Sequence, residues 1–270
     1  KTSIKSLCDT KFGLNKVEVS IKNVTDTTYW NGTGWGGSPT WVNATGLANW
    51  TYTSPSWTNA KTYLVQSKAT DTATNVETPS SGNSFTYDTT APSSTVVIPA
   101  NSGLYSTFAT ISGTAADTFG VNEVQISIKN IIDTQYWNGS VWGAIESWLS
   151  VTGTSNWTYS SPSLASGKQY LVRSKAKDNA GNWETAGTGN SFTFDNIAPT
   201  TALVLPINGV TYNSLPQITG TATDATAGVS LVQVSIKNVT DTTYWTGGAW
   251  GGTETWVDST GTNNWTYNNP

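Results

Sequence analysis

Among side chains that carry chemistry near neutral pH, this 270-residue sequence offers almost only carboxylates. It has no His, no Met and one Cys, Cys8, beside 17 Asp plus Glu and 13 Lys plus Arg. Imidazole bases, Cys/His zinc sites and an internal disulfide are therefore excluded. No carboxylate pair stands in a common motif with a second catalytic group, and the chain reads as a non-enzyme. What its acids can do together is hold a hard cation. Asp88, Asp117 and Asp178 are predicted to meet at one domain junction, and Asp195 and Asp224 to occupy the equivalent places at the next. With backbone carbonyls and water, such a group supplies the roughly six to eight oxygens that Ca²⁺ takes. Against this, each Asp can cap its own turn and bind nothing, and no dense acidic loop of the EF-hand kind is present. Calcium is the one candidate cofactor, and nothing else in the chain requires one.

The second chemistry is aromatic stacking, because 14 residues are Trp. Trp142 and Trp148 could form a platform for sugars. Packing is the stronger expectation: Trp30, Trp35, Trp41 and Trp50 recur as Trp137, Trp142, Trp148 and Trp157, then as Trp245, Trp250, Trp256 and Trp265. An indole buries on the order of 200 Å², enough to offset a missing disulfide. Trp57 and Trp183 are matched in another copy by Leu164 and Val76, which suggests ordinary apolar sites. Cys8 is read as a small buried hydrophobe.

These residues sit on a repeat. The stretch from Val17 to Trp35 returns at Val124 to Trp142 and at Val232 to Trp250, at spacings of 107 and 108 residues. That is the length of a small sandwich domain duplicated in tandem, far longer than a solenoid repeat. Each copy opens with strict alternation, as in Val124, Ile126 and Ile128 against Gln125, Ser127 and Lys129, the period of a half-buried strand. Tyr136 and Trp137 then lead into Asn138-Gly139, a tight-hairpin dipeptide, and back to Trp142.

The middle copy supplies the strand order. In order, the copy is predicted to hold strands at Ser94 to Ile98, Thr107 to Thr114 and Val124 to Asn130, the aromatic hairpin Gln135 to Trp142, and strands at Asn156 to Tyr159, Gln169 to Ala176 and Ser191 to Phe194. Pro99 with Asn101-Ser102-Gly103 forms a turn after the first, and Asp178 to Asn182 a turn after the sixth. Seven short strands between turn signals, with no helical period, indicate a β-sandwich. In that topology the loops after the second and sixth strands lie at the end where the chain enters. Asp117 and Asp178 are therefore placed beside Asp88 in the entering linker.

The run Leu164 … Tyr170-Leu171-Val172 … Ala176-Lys177-Asp178-Asn179-Ala180-Gly181-Asn182 resembles the sixth-strand region of fibronectin type III and bacterial immunoglobulin-like domains. The resemblance implies a tyrosine corner at Tyr63 and Tyr170. Asp88-Thr89-Thr90-Ala91-Pro92 and Asp195-Asn196-Ile197-Ala198-Pro199 resemble the junctions that open such repeats in large bacterial surface proteins, and Ile111 to Asp117 and Ile218 to Asp224 also fit. It implies an all-β chain of tandem seven-strand immunoglobulin-like β-sandwiches arranged end to end: 1–88 (N-terminally incomplete), 89–195 (complete) and 196–270 (C-terminally incomplete). The inter-sheet cysteine pair of antibody domains is absent, so packing alone must hold the core. A self-formed Lys-Asn crosslink, as in some adhesins, would need a Lys that the strand Ser94 to Ile98 lacks.

Only 11% of residues are charged and the net charge is −4, which leaves no basic surface for phosphates and makes nucleic acid an unexpected partner. No apolar run reaches membrane-spanning length, and Lys1 does not open a signal peptide. Eight Asn-x-Ser/Thr sequons are no enrichment over the about seven that 24 Asn and 77 Ser plus Thr give by chance. Pro92 and Pro199 limit hinging in short linkers, with a repeat of roughly 35 to 45 Å along the chain. The expected function is structural: a piece of a longer extracellular array on a bacterial cell surface, in a fibre or adhesin stalk. Its partners would be neighbouring domains of the same longer chain, or identical chains pairing edge strands in a filament. The alternative is a carbohydrate-binding array in which Trp142 and Trp148 stack on surface glycans.

Overall fold

The structure, a computed structural model, describes residues 13–268. Cys8 and the terminal Pro270 lie outside the described residues. Every regular element among the described residues is a β-strand. They gather into two compact units. The first reaches Pro92 and takes in Asp117–Asn122 and Lys177–Trp183; the second holds Ser93–Ala116, Glu123–Ala176 and the chain from Glu184 onward.

In the first unit, Leu14–Asn23 turns Val17, Val19 and Ile21 inward, as its alternation requires. It pairs antiparallel with Lys61–Asp71, Ile21 opposite Val65. The sheet runs Trp35–Gly36, Thr28–Trp30, Leu14–Asn23, Lys61–Asp71, Asn83–Tyr87. Tyr63 is buried, and its hydroxyl accepts the Thr58 N–H at 2.9 Å. Trp57, Trp35 and Phe85 pack around its ring at 4.6 to 5.5 Å between centroids.

In the second unit, the middle copy is a two-sheet sandwich. One sheet runs Asn156–Ser160, Thr110–Ala116, Ser93–Ile98. The other runs Gly103–Tyr105, Asn190–Phe194, Lys168–Asp178, Val121–Asn130, Gln135–Trp137, Trp142–Gly143. Ile111, Ala115 and Trp157 from the first, with Ile126, Ile128, Tyr170, Val172 and Phe192 from the second, form the buried core. Tyr170 repeats the corner of Tyr63, its hydroxyl accepting the Ala165 N–H at 2.9 Å. Trp157 packs close beneath Gly113, where any Cβ would overlap the indole and the Thr95 carbonyl, and Gly220 stands likewise over Trp265. The predicted strands appear with ends shifted by up to three residues. Two short strands of the middle copy were not foreseen, Leu149–Ser150, which pairs antiparallel with Val121–Asn130, and Gly103–Tyr105. Directly after the turn at Asn101 to Gly103, Gly103–Tyr105 lies parallel to Asn190–Phe194, and Asn101 Oδ1 accepts the Ser191 N–H at 3.0 Å. The chain thus changes sheets just past Pro99, too briefly for any periodicity to show.

The third copy repeats the first sheet as Thr200–Leu205, Gln217–Thr223 and Asn264–Asn268. The hairpin is constant throughout. In the middle copy Gly139 takes φ +99° and Trp137 lies opposite Trp142, as the Asn-Gly dipeptide predicts. The Trp side-chain N–H of each copy donates to a tyrosine hydroxyl: Trp30 to Tyr52, Trp137 to Tyr159 and Trp245 to Tyr267. Thr27, Thr134 and Thr242 each hold φ 55°, a costly conformation for a β-branched residue, in the turn before that hairpin.

Candidate cation site at the first junction

Asp178 owes its position to the two-residue period of its strand. Along Lys168–Asp178 the side chains of Tyr170, Val172, Ser174 and Ala176 are buried, and one further step sends the Asp178 carboxylate inward, with no exposed surface. Its Oδ1 accepts the Gly181 N–H at 2.6 Å and the Asn182 N–H at 2.8 Å, and its Oδ2 accepts the Asn182 side-chain amide at 2.7 Å. Burial is the largest single influence on this carboxyl and pushes its pKa up. The Asn182 side-chain amide and the Asn182, Gly181 and Ala180 N–H groups together outweigh it, leaving the group below the ordinary carboxylate range.

Asp117 stands where Thr110–Ala116 ends, half-buried, its Oδ1 accepting the Phe119 N–H at 2.7 Å. The two loops are bonded together: the Asn179 amide donates to the Phe119 carbonyl at 2.9 Å, and the Asn179 N–H to the Gly120 carbonyl at 3.1 Å. Asp88 comes from the linker. Its Oδ1 accepts the Thr90 N–H at 2.9 Å, and its carbonyl accepts the Asn182 amide at 3.1 Å. One oxygen from each of Asp88, Asp117 and Asp178 falls within 4.8 Å of the others. Such a cluster of oxygens, short of positive charge, is a donor set for a hard cation.

Asp195 and Asp224 are arranged differently. Asp195 Oδ1 accepts the Ser166 hydroxyl at 2.9 Å and the Ile197 N–H at 3.1 Å, and Oδ2 accepts the Ala227 N–H at 3.0 Å. Asp224 Oδ1 gathers the N–H groups of Thr226, Ala227 and Gly228 at 2.8 to 2.9 Å. The N–H groups of Thr226 and Gly228 lead in holding its pKa low. Both acids cap turns here, the role weighed against metal binding in the sequence.

Asn182 was missed as a functional residue. Its signal was an Asp-x-x-x-Asn spacing shared by Asp178 and Asn182 with Asp71 and Asn75, where the Asn75 amide likewise donates to Asp71 Oδ2 at 2.8 Å. Glu184 also escaped notice. It accepts the Ser94 N–H at 2.9 Å and the Ala176 N–H at 3.0 Å, joining strands of the two sheets.

The tryptophans considered for sugar stacking are engaged with protein. Trp142 packs between Trp137 and Tyr170, with both ring centroids at 5.6 Å. Trp148 is half-buried, with Lys175 Nζ 4.4 Å and Arg173 Cζ 5.7 Å from its ring centre. Of the pair Val76 and Trp183, both are exposed. Among the described residues no helix is long and apolar enough to cross a membrane.

No family model matches the chain, and no curated protein matches it. Among solved structures, it is similar to the fibronectin(III)-like modules of Clostridium thermocellum CbhA, at 15% identity and a TM-score of 0.31, covering 68% of this chain and 80% of that one. It is also similar to the FN1–FN3 domains of chicken CNTN1, at 13% identity and a TM-score of 0.28, covering 97% of this chain and 80% of that one. The sandwich fold rests on the strand order and registers of this chain itself.

Proposed function

We propose that the chain is a structural segment of an extracellular surface array, a stalk of tandem sandwiches that spans distance. The supporting observation is that neither linker is slack. At the first junction the Asn182 side chain bonds the Asp88 carbonyl, and the linker is also fastened backward, the Thr89 N–H donating to Asn59 Oδ1 at 2.7 Å. At the second, the Ala227 N–H bonds Asp195 Oδ2 while the Ser166 hydroxyl bonds Asp195 Oδ1. Each linker is thereby gripped by a loop before it and a loop after it, in addition to the φ restriction of Pro92 and Pro199. A low-charge chain rich in Ser and Thr, without His or Met, suits an exposed bacterial surface. Negative-stain electron microscopy of the full chain tests this. Extended particles with an axial repeat of roughly 35 to 45 Å are expected. Compact globules would sink the stalk, and bundles several chains wide would move the function to filament assembly.

A further inference from the structure

Three carboxylates with converging oxygens repel one another unless a positive charge stands among them. The groups that bond them here, the N–H of Thr90, Phe119, Gly181 and Asn182 and the Asn182 amide, are all neutral. A second observation is independent of the clustering. Asp88 is only 9% exposed, and its Oδ2 is buried without any hydrogen-bond partner, although buried polar atoms are almost always bonded. An acceptor-only oxygen in that condition, on a carboxylate that belongs to the cluster, points to a cation.

We propose that Asp88, Asp117 and Asp178 bind one calcium ion, and that Asp195 and Asp224, as they stand in this chain, bind none. All three carboxylate donors are oxygens, the hard ligands this ion takes. One oxygen from each lies within 4.8 Å of the others, close enough for a single cation to contact all three. Calcium's flexible shell of roughly six to eight oxygens accepts donors set by three separate loops, whereas magnesium demands a near-ideal octahedron. Water and nearby carbonyls complete the shell.

The second junction is satisfied by its own backbone, for two reasons visible residue by residue. Asp117 reaches Gly120 through two residues, whereas Asp224 reaches Gly228 through three. The longer loop brings the Ala227 N–H onto Asp195 Oδ2, the atom equivalent to the unpartnered Asp88 Oδ2. Ser166 replaces Asn59, and its hydroxyl supplies a further donor to Asp195, where the Asn59 amide instead turns to Thr90 Oγ1 at 2.6 Å. N–H and O–H groups hold the place of the ion.

The test is calorimetric titration of calcium into the full chain after chelator treatment. One ion per chain is expected, with affinity weakened at least about tenfold by Asp117→Asn and unchanged by Asp224→Asn. Asp117 accepts a single hydrogen bond, so its variant should keep the circular dichroism of the parent; Asp88→Asn serves as the second variant should it not. Absence of binding at millimolar calcium would overturn the proposal. So would binding that survives both Asp117→Asn and Asp88→Asn, loss of binding in Asp224→Asn, or a magnesium isotherm as tight as that of calcium. None of these outcomes depends on whether the chain is a stalk.

Discussion

Asp88 and Asp195 occupy the same place in successive linkers, as Asp117 and Asp224 do in successive loops, yet the two junctions solve the same electrostatic problem by different means. At the second, hydroxyl and backbone N–H donors reach both oxygens of Asp195. At the first, Asp88 receives one N–H, keeps a bare buried oxygen and meets two further carboxylates. A carboxylate in a joint can be neutralised by the fold or by an ion. At the second junction, one added loop residue and Ser in place of Asn supply donors that Asp88 lacks.

The largest effect should come from removing Asp178. Asp178→Ala leaves the Gly181 and Asn182 N–H groups and the Asn182 amide without their acceptor, and should cost about 3 kcal/mol in denaturant unfolding. The more diagnostic change is Asp88→Asn, whose sign should depend on the medium. In chelator it removes an uncompensated buried charge and should raise the melting temperature by on the order of 3 °C; in calcium it removes a ligand and should lower it by a similar amount. Asp195→Asn should show no such reversal. Converting one junction into the other comes next. An alanine inserted between Thr118 and Phe119, combined with Asn59→Ser, should weaken calcium binding at least about tenfold in calorimetry and raise stability in chelator.

The smallest effect concerns pH at the second junction. The Asp224 pKa is depressed in the folded chain, so its contribution to stability is complete above the unfolded value of about 4 and is lost as pH falls through the folded one. Amide exchange at Thr226, Ala227 and Gly228, corrected for the intrinsic rate, should accelerate over that acid range. Protection unchanged down to the depressed pKa and beyond would show that the loop does not rely on the carboxylate.

Much of this was legible from residue order. Val124, Ile126 and Ile128 alternate because one face of their strand is buried, and Tyr170 to Ala176 do so for the same reason, so their strands could be placed without coordinates. The approach of Asp88 to Asp117 and Asp178 followed from topology alone, since loop positions in a sandwich depend on strand order. The parallel strand Gly103–Tyr105 did not, because three residues carry no period and their partner lies far along the chain. The contrast between the junctions was written in the loops, two residues between Asp and Gly against three. Its meaning depended on the direction in which one N–H points, which only the folded backbone determines.

The hairpins carry a last consequence, one of kinetics. Lys22 faces Tyr29, Lys129 faces Tyr136 and Lys237 faces Tyr244, so the same cross-strand register closes the same element in all three copies. Interchangeable parts on one chain can be exchanged during folding. A hairpin from one copy that docks in the sheet of its neighbour would find correct pairing and a correct Trp–Tyr bond, and would have to unfold to return home. Refolding of the whole chain should therefore show a misassembled population that a single excised copy, where it folds, does not, and whose share is independent of protein concentration because the exchange is internal.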